Sequence, residues 1–96
     1  MDALPDIIQI LKELKPELAI KYHVSSIGLF GSVVRDDFST NSDVDIIVDF
    51  SEPVGIEFID LANLIEDRIG KPVDLVSKNG IKPRYYSEIA PEIVYV

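Results

Sequence analysis

The chain contains no cysteine, and it has a single histidine, His23, among its 96 residues. Disulfide bonds and thiolate metal sites are therefore excluded, and one imidazole cannot build a multi-histidine zinc site. Any metal ion that this protein binds must be held through oxygen atoms.

Long apolar segments are also missing. The hydrophobic runs extend over a handful of residues, whereas a membrane-spanning helix needs roughly 20. No basic segment followed by an apolar one opens the chain, as it would in a signal peptide. We therefore expect no membrane association and a cytoplasmic location.

Positive charge is scarce: the chain has 9 basic and 17 acidic residues, for a formal net charge of −8. Such a chain repels duplex nucleic acid and anionic membranes at long range. We expect a protein partner instead. Separately from charge, residues 93–96 would, if exposed, offer a pairing edge to another chain, so a homo-oligomer stays open. Hydrophobic residues make up 47% and charged residues 27%, a balance typical of one packed domain spanning residues 1–96.

Hydrophobic periodicity predicts two long helices. The first begins near Pro5, ends near Tyr22 and should kink or restart at Pro16, which lacks a backbone donor. The second covers residues 56–69 and ends at Gly70, which suits the position after a helix. A short helix should run from Pro83 to Ile89. The stripe of the first helix consists of Ile7, Leu11, Leu14 and Leu18.

Three segments read as strands: residues 24–30, 43–50 and 73–76. Gly31 closes the first of them, and a short helical piece should follow it. Residues 43–50 alternate between an apolar face and an acidic face. Residues 93–96 form either an edge strand or an apolar tail. These elements predict an α+β protein.

Asp43 and Asp45 fall on the same side of the second strand, with carboxylates about 5 Å apart. Their mutual repulsion is about 3 kcal/mol at an effective dielectric of roughly 20, so a partly buried site needs a compensating cation. Aspartate is also a poor strand former. Residues that break local rules in this way tend to mark functional sites.

Clustered carboxylates suit Mg²⁺, which is small and prefers oxygen ligands. Two such ions about 4 Å apart can hold the attacking and leaving oxygens of a phosphoryl displacement. A third carboxylate is normally needed to complete such a pair. Asp74 is the best candidate, because it shares parity with Val76 on the next strand while Val73 and Leu75 face the core.

Gly31 and Ser32 follow the first strand directly. Glycine lets the backbone approach a ligand, and successive N–H groups together with a hydroxyl can bind an anion. A phosphate bound here would complement metal ions on the aspartates.

The same residues have plainer interpretations. The acidic strand face could serve solubility alone, and Asp74 could be an ordinary residue at a strand end. Asp49 more readily starts a turn than binds metal. Arg35 could bind phosphate or pair with Asp36 or Asp37. Tyr85 and Tyr86 could stack on a base, although tyrosines beside a proline are more often core-edge or interface residues.

The spacing of these residues resembles a known signature. Gly31-Ser32, ten intervening residues and Asp43-Val44-Asp45 resemble the GS-x10-DxD motif of the DNA polymerase β-like nucleotidyltransferase superfamily, and Arg35 and Ser42 match its form GSxxR…SDxD. The small chain is most similar to the minimal nucleotidyltransferase branch, over residues 24–76. The implied fold is a small mixed β-sheet flanked by helices that pack on one face.

The resemblance also implies roles for the site residues. Asp43 and Asp45 would hold two Mg²⁺ ions, while Asp74 would hold one of them and take the proton of the attacking hydroxyl. Gly31, Ser32 and Arg35 would bind the triphosphate of an NTP.

The resemblance implies a transfer of AMP from ATP to a hydroxyl. In this branch the acceptor is a tyrosine of a separately encoded HEPN-domain toxin, and the transferase is the antitoxin. The 22 residues that follow Asp74 are too few for an acceptor domain, which agrees with an acceptor supplied by a partner. A non-catalytic antitoxin that binds nucleotide or covers its partner's surface remains the alternative.

Overall fold

The computed structural model describes residues 3–35, 38–39 and 42–96. Its elements agree closely with the predicted ones, including the short helical piece after β1, the 3₁₀ turn Gly31–Val33; a second 3₁₀ turn, Ala90–Glu92, was not predicted. In chain order they are helix α1 (Ala3–Tyr22), strand β1 (Val24–Phe30), strand β2 (Val44–Phe50), helix α2 (Glu57–Ile69), strand β3 (Val73–Ser77), helix α3 (Pro83–Ile89) and strand β4 (Val94–Tyr95).

The strands form one mixed sheet in the order β3-β2-β1-β4. Strand β1 pairs antiparallel with β2 and with β4, whereas β2 and β3 are parallel. Parallel neighbours need a crossover connection, and α2 supplies it. The last strand is an edge strand of two residues, which confirms one of the two alternatives for the end of the chain.

Helices α1 and α2 cover one face of the sheet. The predicted stripe of α1 is buried, and it meets the alternate residues of β1 and β2 that point the same way. Helix α2 ends as predicted at Gly70, which has the left-handed conformation (φ 76°). The core residues are Ile7, Leu11, Leu14, Leu18, Val24, Ile27, Leu29, Val33, Val44, Ile46, Val48, Leu61 and Ile65.

Pro16 does not interrupt α1, so the restart predicted there as one alternative does not occur. Proline removes one hydrogen bond of the helix ladder and disfavours a continuous helix. Leu14 and Leu18 on either side of it are both buried in the same core, while Pro16 itself is exposed. Tertiary packing of the two leucines thus holds the helix together across the proline.

The opposite face of the sheet is also covered in part. Ile89 of α3 packs against Phe30 and Ile47, and these three residues form a second buried cluster. The expectation that helices occupy one face is therefore correct for α1 and α2 but not for α3. Ile47 has the parity of the aspartates on β2, so α3 shields the apolar part of the acidic face. In the described part of the chain, no helix is long and apolar enough to cross a membrane.

Substitution of Leu18 by alanine tests how strongly the α1 stripe stabilises the fold. Leu18 is fully buried, whereas Ile20, two residues on, is 79% exposed. Leu18→Ala should lower the free energy of unfolding by about 2–5 kcal/mol, and Ile20→Ala should change it by less than about 0.5 kcal/mol. Urea unfolding of both variants measures the difference. Equal losses would show that the stripe is not the main contact of α1.

Candidate active site

Two neighbouring strands, β2 and β3, place the acidic residues side by side. Asp45 on β2 lies opposite Phe30 of β1 and opposite Asp74 of β3. Register partners project from the same face of a sheet, so Asp45 and Asp74 are neighbours on the face away from α1 and α2. Asp43 shares the parity of Asp45 and lies immediately before β2. The structure therefore brings the three predicted aspartates to one end of the sheet.

Asp45 is the most constrained of these carboxylates. Burial raises its pKa above the ordinary value, and the negative charges of Asp74 and Asp43 raise it further. The guanidinium of Arg35 opposes this shift, while Glu92 adds to it. A carboxylate in such surroundings is stabilised by any cation that approaches it.

A closed metal cage is absent from residues 3–35, 38–39 and 42–96: no three Asp, Glu or His side chains there converge as metal ligands do. The chemistry of the donor set nevertheless fits Mg²⁺, which is usually bound by one or two carboxylates together with substrate phosphates. Asp43 and Asp74 are exposed, and exposed side chains change rotamer within nanoseconds. A metal site completed by substrate needs no preassembled cage.

Gly31 lies against Asp45 for a steric reason. Its φ of +77° is a left-handed conformation that favours glycine. A Cβ atom on this residue would collide with the Oδ2 atom of Asp45 and would lie 3.0 Å from its Cγ. Gly31 is thus required both for its backbone conformation and for the close approach of the carboxylate.

Ser32 and Arg35 continue the turn that Gly31 begins. The amide of Val34 donates to the Gly31 carbonyl, and the amide of Arg35 donates to the Ser32 carbonyl, each at 3.1 Å. Ser32 is half-buried within this turn. The residues predicted to bind phosphate therefore belong to one hydrogen-bonded unit at the end of β1.

Glu92 completes this unit and was not predicted from the sequence. The Gly31 N–H donates to Oε1 of Glu92 at 3.0 Å, across 61 residues of chain. Arg35 Nη1 lies 3.4 Å from Oε1 and 3.3 Å from Oε2 of the same carboxylate. Asp36 and Asp37, the partners proposed for Arg35, lie outside the described residues. No sequence pattern marks Glu92, because its contacts depend on the course of the chain between β3 and β4.

The other residues considered lie apart from this unit. Asp49 lies inside β2, one residue before its end, and its Oδ1 accepts from the Phe50 amide at 3.0 Å. Tyr86 packs against the second buried cluster, with Lys78 Nζ 5.5 Å from its ring centroid. Tyr85 is 48% exposed.

Alanine at Gly31 tests the contact with Asp45, and Gly70 provides a matched control. Both glycines have a positive φ, but a Cβ on Gly70 would meet nothing within 4 Å. Each substitution should lose about 1–2 kcal/mol of unfolding free energy from backbone strain alone. Gly31→Ala should lose more, because the Asp45 carboxyl must also move. Urea unfolding compares the two, and equal losses would contradict the close approach.

The raised pKa of Asp45 predicts a pH-dependent destabilisation in the absence of metal. The native state holds the Asp45 proton to higher pH than the unfolded chain does, so the stability of the wild type falls as pH rises through the native pKa. In EDTA at neutral pH, Asp45→Asn should therefore raise the Tm. The exposed Asp67 supplies the control for net charge, and Asp67→Asn should raise the Tm less.

The gain in Tm of Asp45→Asn over the wild type should shrink at a pH well below the ordinary pKa of aspartate, where Asp45 is protonated in both the native and the unfolded wild type. Thermal melts of both proteins at a series of pH values measure this difference in Tm. A Tm of Asp45→Asn below that of the wild type at neutral pH would contradict the inferred electrostatic conflict.

The sequence of this chain matches a known protein family and several named proteins. Residues 5–96 match the family described as Nucleotidyltransferase domain. The chain is 42% identical to the protein adenylyltransferase MntA of Thermococcus cleftensis, over all of this chain and 98% of that protein. It is 38% identical, over the whole of both chains, to a Methanocaldococcus jannaschii protein, MJ0126, whose name gives it as a candidate protein adenylyltransferase.

Solved structures agree with this result. A structure described as that of a candidate minimal nucleotidyltransferase superposes with a TM-score of 0.79 at 27% identity, covering 98% of this chain and 95% of the other. One chain in the structure of a variant of the toxin–antitoxin pair MntA–HpeT has the same fold, with a TM-score of 0.69 at 20% identity over 96% of this chain and 70% of that chain. The chain therefore belongs to the nucleotidyltransferase domain family, as a homologue of MntA and of the minimal nucleotidyltransferases.

Proposed function

We propose that this protein transfers AMP from ATP to a hydroxyl group of a protein and releases pyrophosphate. The single observation that carries the proposal is the register of the sheet, in which Asp45 lies beside Asp74 and is in close contact with Gly31. Carboxylates and an anion-binding turn at one point are what a metal-assisted reaction of a triphosphate needs. The protein adenylyltransferase name of the T. cleftensis relative supports the same activity.

Nucleotidyltransferases of this family generally use a divalent metal ion. The residues that would hold it are Asp43, Asp45 and Asp74, and their oxygen-only chemistry favours two Mg²⁺ ions. When bound, the ions supply positive charge to the triphosphate and to the departing pyrophosphate. The chain's own donors act on the same groups: the Gly31 amide, the Ser32 hydroxyl and the Arg35 guanidinium bind phosphate oxygens.

The reaction is a displacement at the α-phosphorus of ATP. The acceptor oxygen forms a bond to that phosphorus while the bond to the bridging oxygen of the β-phosphate breaks, and pyrophosphate leaves. The carboxylate of Asp74 takes the hydroxyl proton. Catalysis then consists mainly of positioning and of charge stabilisation, with no covalent enzyme intermediate.

The acceptor is proposed to be a tyrosine of a HEPN-type partner toxin, which makes this chain the antitoxin of the pair and places it in the cytoplasm. Support comes from the MntA relative and from the pairing of MntA with HpeT in a solved toxin–antitoxin structure. In this chain the elements after Asp74, namely α3, the turn Ala90–Glu92 and β4, pack on the sheet. Among them, Glu92 contacts the turn that is proposed to bind the triphosphate.

A labelling experiment tests the activity. The purified protein, incubated with its partner, Mg²⁺ and α-labelled ATP, should move label onto the partner, and EDTA should stop the transfer. Asp45→Asn should reduce the rate by at least about 100-fold, because it weakens the electrostatic stabilisation of the transition state. Asp67→Asn, which removes the same charge from an exposed helix position, should leave the rate within about twofold.

The same variants separate catalysis from binding. A circular dichroism spectrum and a thermal melt of Asp45→Asn confirm that its fold is intact. If no label moves, and the wild type and Asp45→Asn neutralise the partner equally well, the protein acts by covering its partner and the proposal of transfer is wrong.

A further inference from the structure

The carboxylate of Glu92 uses the donors that the proposed triphosphate site requires. Its Oε1 accepts from the Gly31 amide at 3.0 Å, and both of its oxygens lie within 3.4 Å of Arg35 Nη1. A carboxylate oxygen and a phosphate oxygen accept charge-assisted hydrogen bonds in the same way. Because Gly31 has a single N–H, Glu92 and a nucleotide phosphate compete for it.

The contact is placed so that a ligand can displace it. The Arg35 side chain is 52% exposed and that of Glu92 is 29% exposed, and ion pairs exposed to water are weak. The Arg35–Glu92 distance of 3.3 Å also exceeds the 2.7–2.9 Å typical of strong charge-assisted pairs. A polyphosphate carries several charges and is therefore the stronger competitor.

One electrostatic contact of Glu92, the one with Asp45, is unfavourable. Its negative charge lies close enough to Asp45 to raise the pKa of that carboxyl, so movement of the Glu92 side chain away from the site relieves a repulsion. The gain is greatest when a triphosphate brings further negative charge to the same turn.

The backbone around Glu92 is anchored on both sides. Ile89 is buried in the second cluster before it, and Val94 pairs with Leu29 of β1 after it. Displacement of the carboxylate therefore needs only a rotation of the Glu92 side chain. The C-terminal segment can stay in place while the site changes its occupant.

We infer that Glu92 is a positioning residue of the nucleotide site: its carboxylate holds the Gly31 amide and the Arg35 guanidinium in place before nucleotide binds, and the triphosphate displaces it. The inference rests on the proposed role of this turn in binding ATP. On this inference, the Glu92 carboxylate is an anion of the chain itself that competes with the nucleotide and thereby lowers the affinity for it.

The variant Glu92→Gln tests the competition. Glutamine has the same shape and keeps an oxygen that can accept from the Gly31 amide, but it lacks the charge that competes with phosphate. The matched control is Glu88→Gln, which removes one charge from an exposed position of α3. Calorimetry with Mg²⁺ and α,β-methylene ATP, an analogue that cannot transfer AMP, measures binding without turnover.

Glu92→Gln should bind the analogue about fivefold more tightly than the wild type, since the loss of a solvent-exposed ion pair changes an equilibrium by at most about this factor. Glu88→Gln should stay within about twofold of the wild type. A purely structural role for Glu92 makes the opposite prediction: weaker binding together with a lower Tm. Binding by Glu92→Gln that is equal to or weaker than that of Glu88→Gln overturns the inference.

A failure of the inference about Glu92 can be distinguished from a failure of the proposed transfer activity. If Glu92→Gln binds the analogue more tightly but no label moves onto a partner, the competition stands and the transfer activity does not. If the wild type transfers label and the Glu92→Gln affinity is unchanged, only the inference about Glu92 is wrong. If neither protein binds the analogue, both are wrong.

Discussion

The close approach of Gly31 to Asp45 is the constraint on which the site depends. Phe30 and Asp45 are register partners, so the residue that follows Phe30 must turn past the Asp45 carboxylate. Only a residue without a Cβ fits there. This contact brings the turn at the end of β1, which is proposed to bind phosphate, to the carboxylates at the start of β2. Two sequence signals that are weak when taken alone thus meet at one place.

The apolar face of the sheet, which α1 and α2 cover, keeps this register in place. Val44, Ile46 and Val48 are buried beneath α1 and α2, and a slip of one residue would send Asp45 into the core and these side chains into water. The apolar packing of one face therefore determines where the carboxylates of the other face stand. The parallel pairing of β2 with β3 then places Asp74 next to Asp45.

The candidate site brings together carboxylates that repel one another. Asp43, Asp45, Asp74 and Glu92 bring negative charge together in a chain whose net charge is already −8. Such an arrangement lowers the stability of the fold, and a cation bound to the native state would restore it. The pairing of Glu92 with Arg35 offsets part of the conflict and at the same time occupies the donors proposed for phosphate.

Much of this arrangement followed from the sequence, because the patterns involved are local. Alternation along β2 and β3 indicated which side the aspartates face, and helical spacing indicated the buried stripe of α1. Gly31 could be singled out from its place at a strand end. These are relations between residues close together in the chain, where the backbone period alone orders the side chains.

Tertiary structure decided the rest. Pro16 remains inside a continuous helix because Leu14 and Leu18 share one core, and Ile47 is buried on the acidic face because α3 returns to cover it. Glu92 reaches Gly31 across 61 residues, a contact that no local period encodes. The sequence by itself thus determined the elements and the chemical character of the site. The three-dimensional course of the chain determined which carboxylate meets the turn that begins at Gly31, because that depends on how distant segments pack.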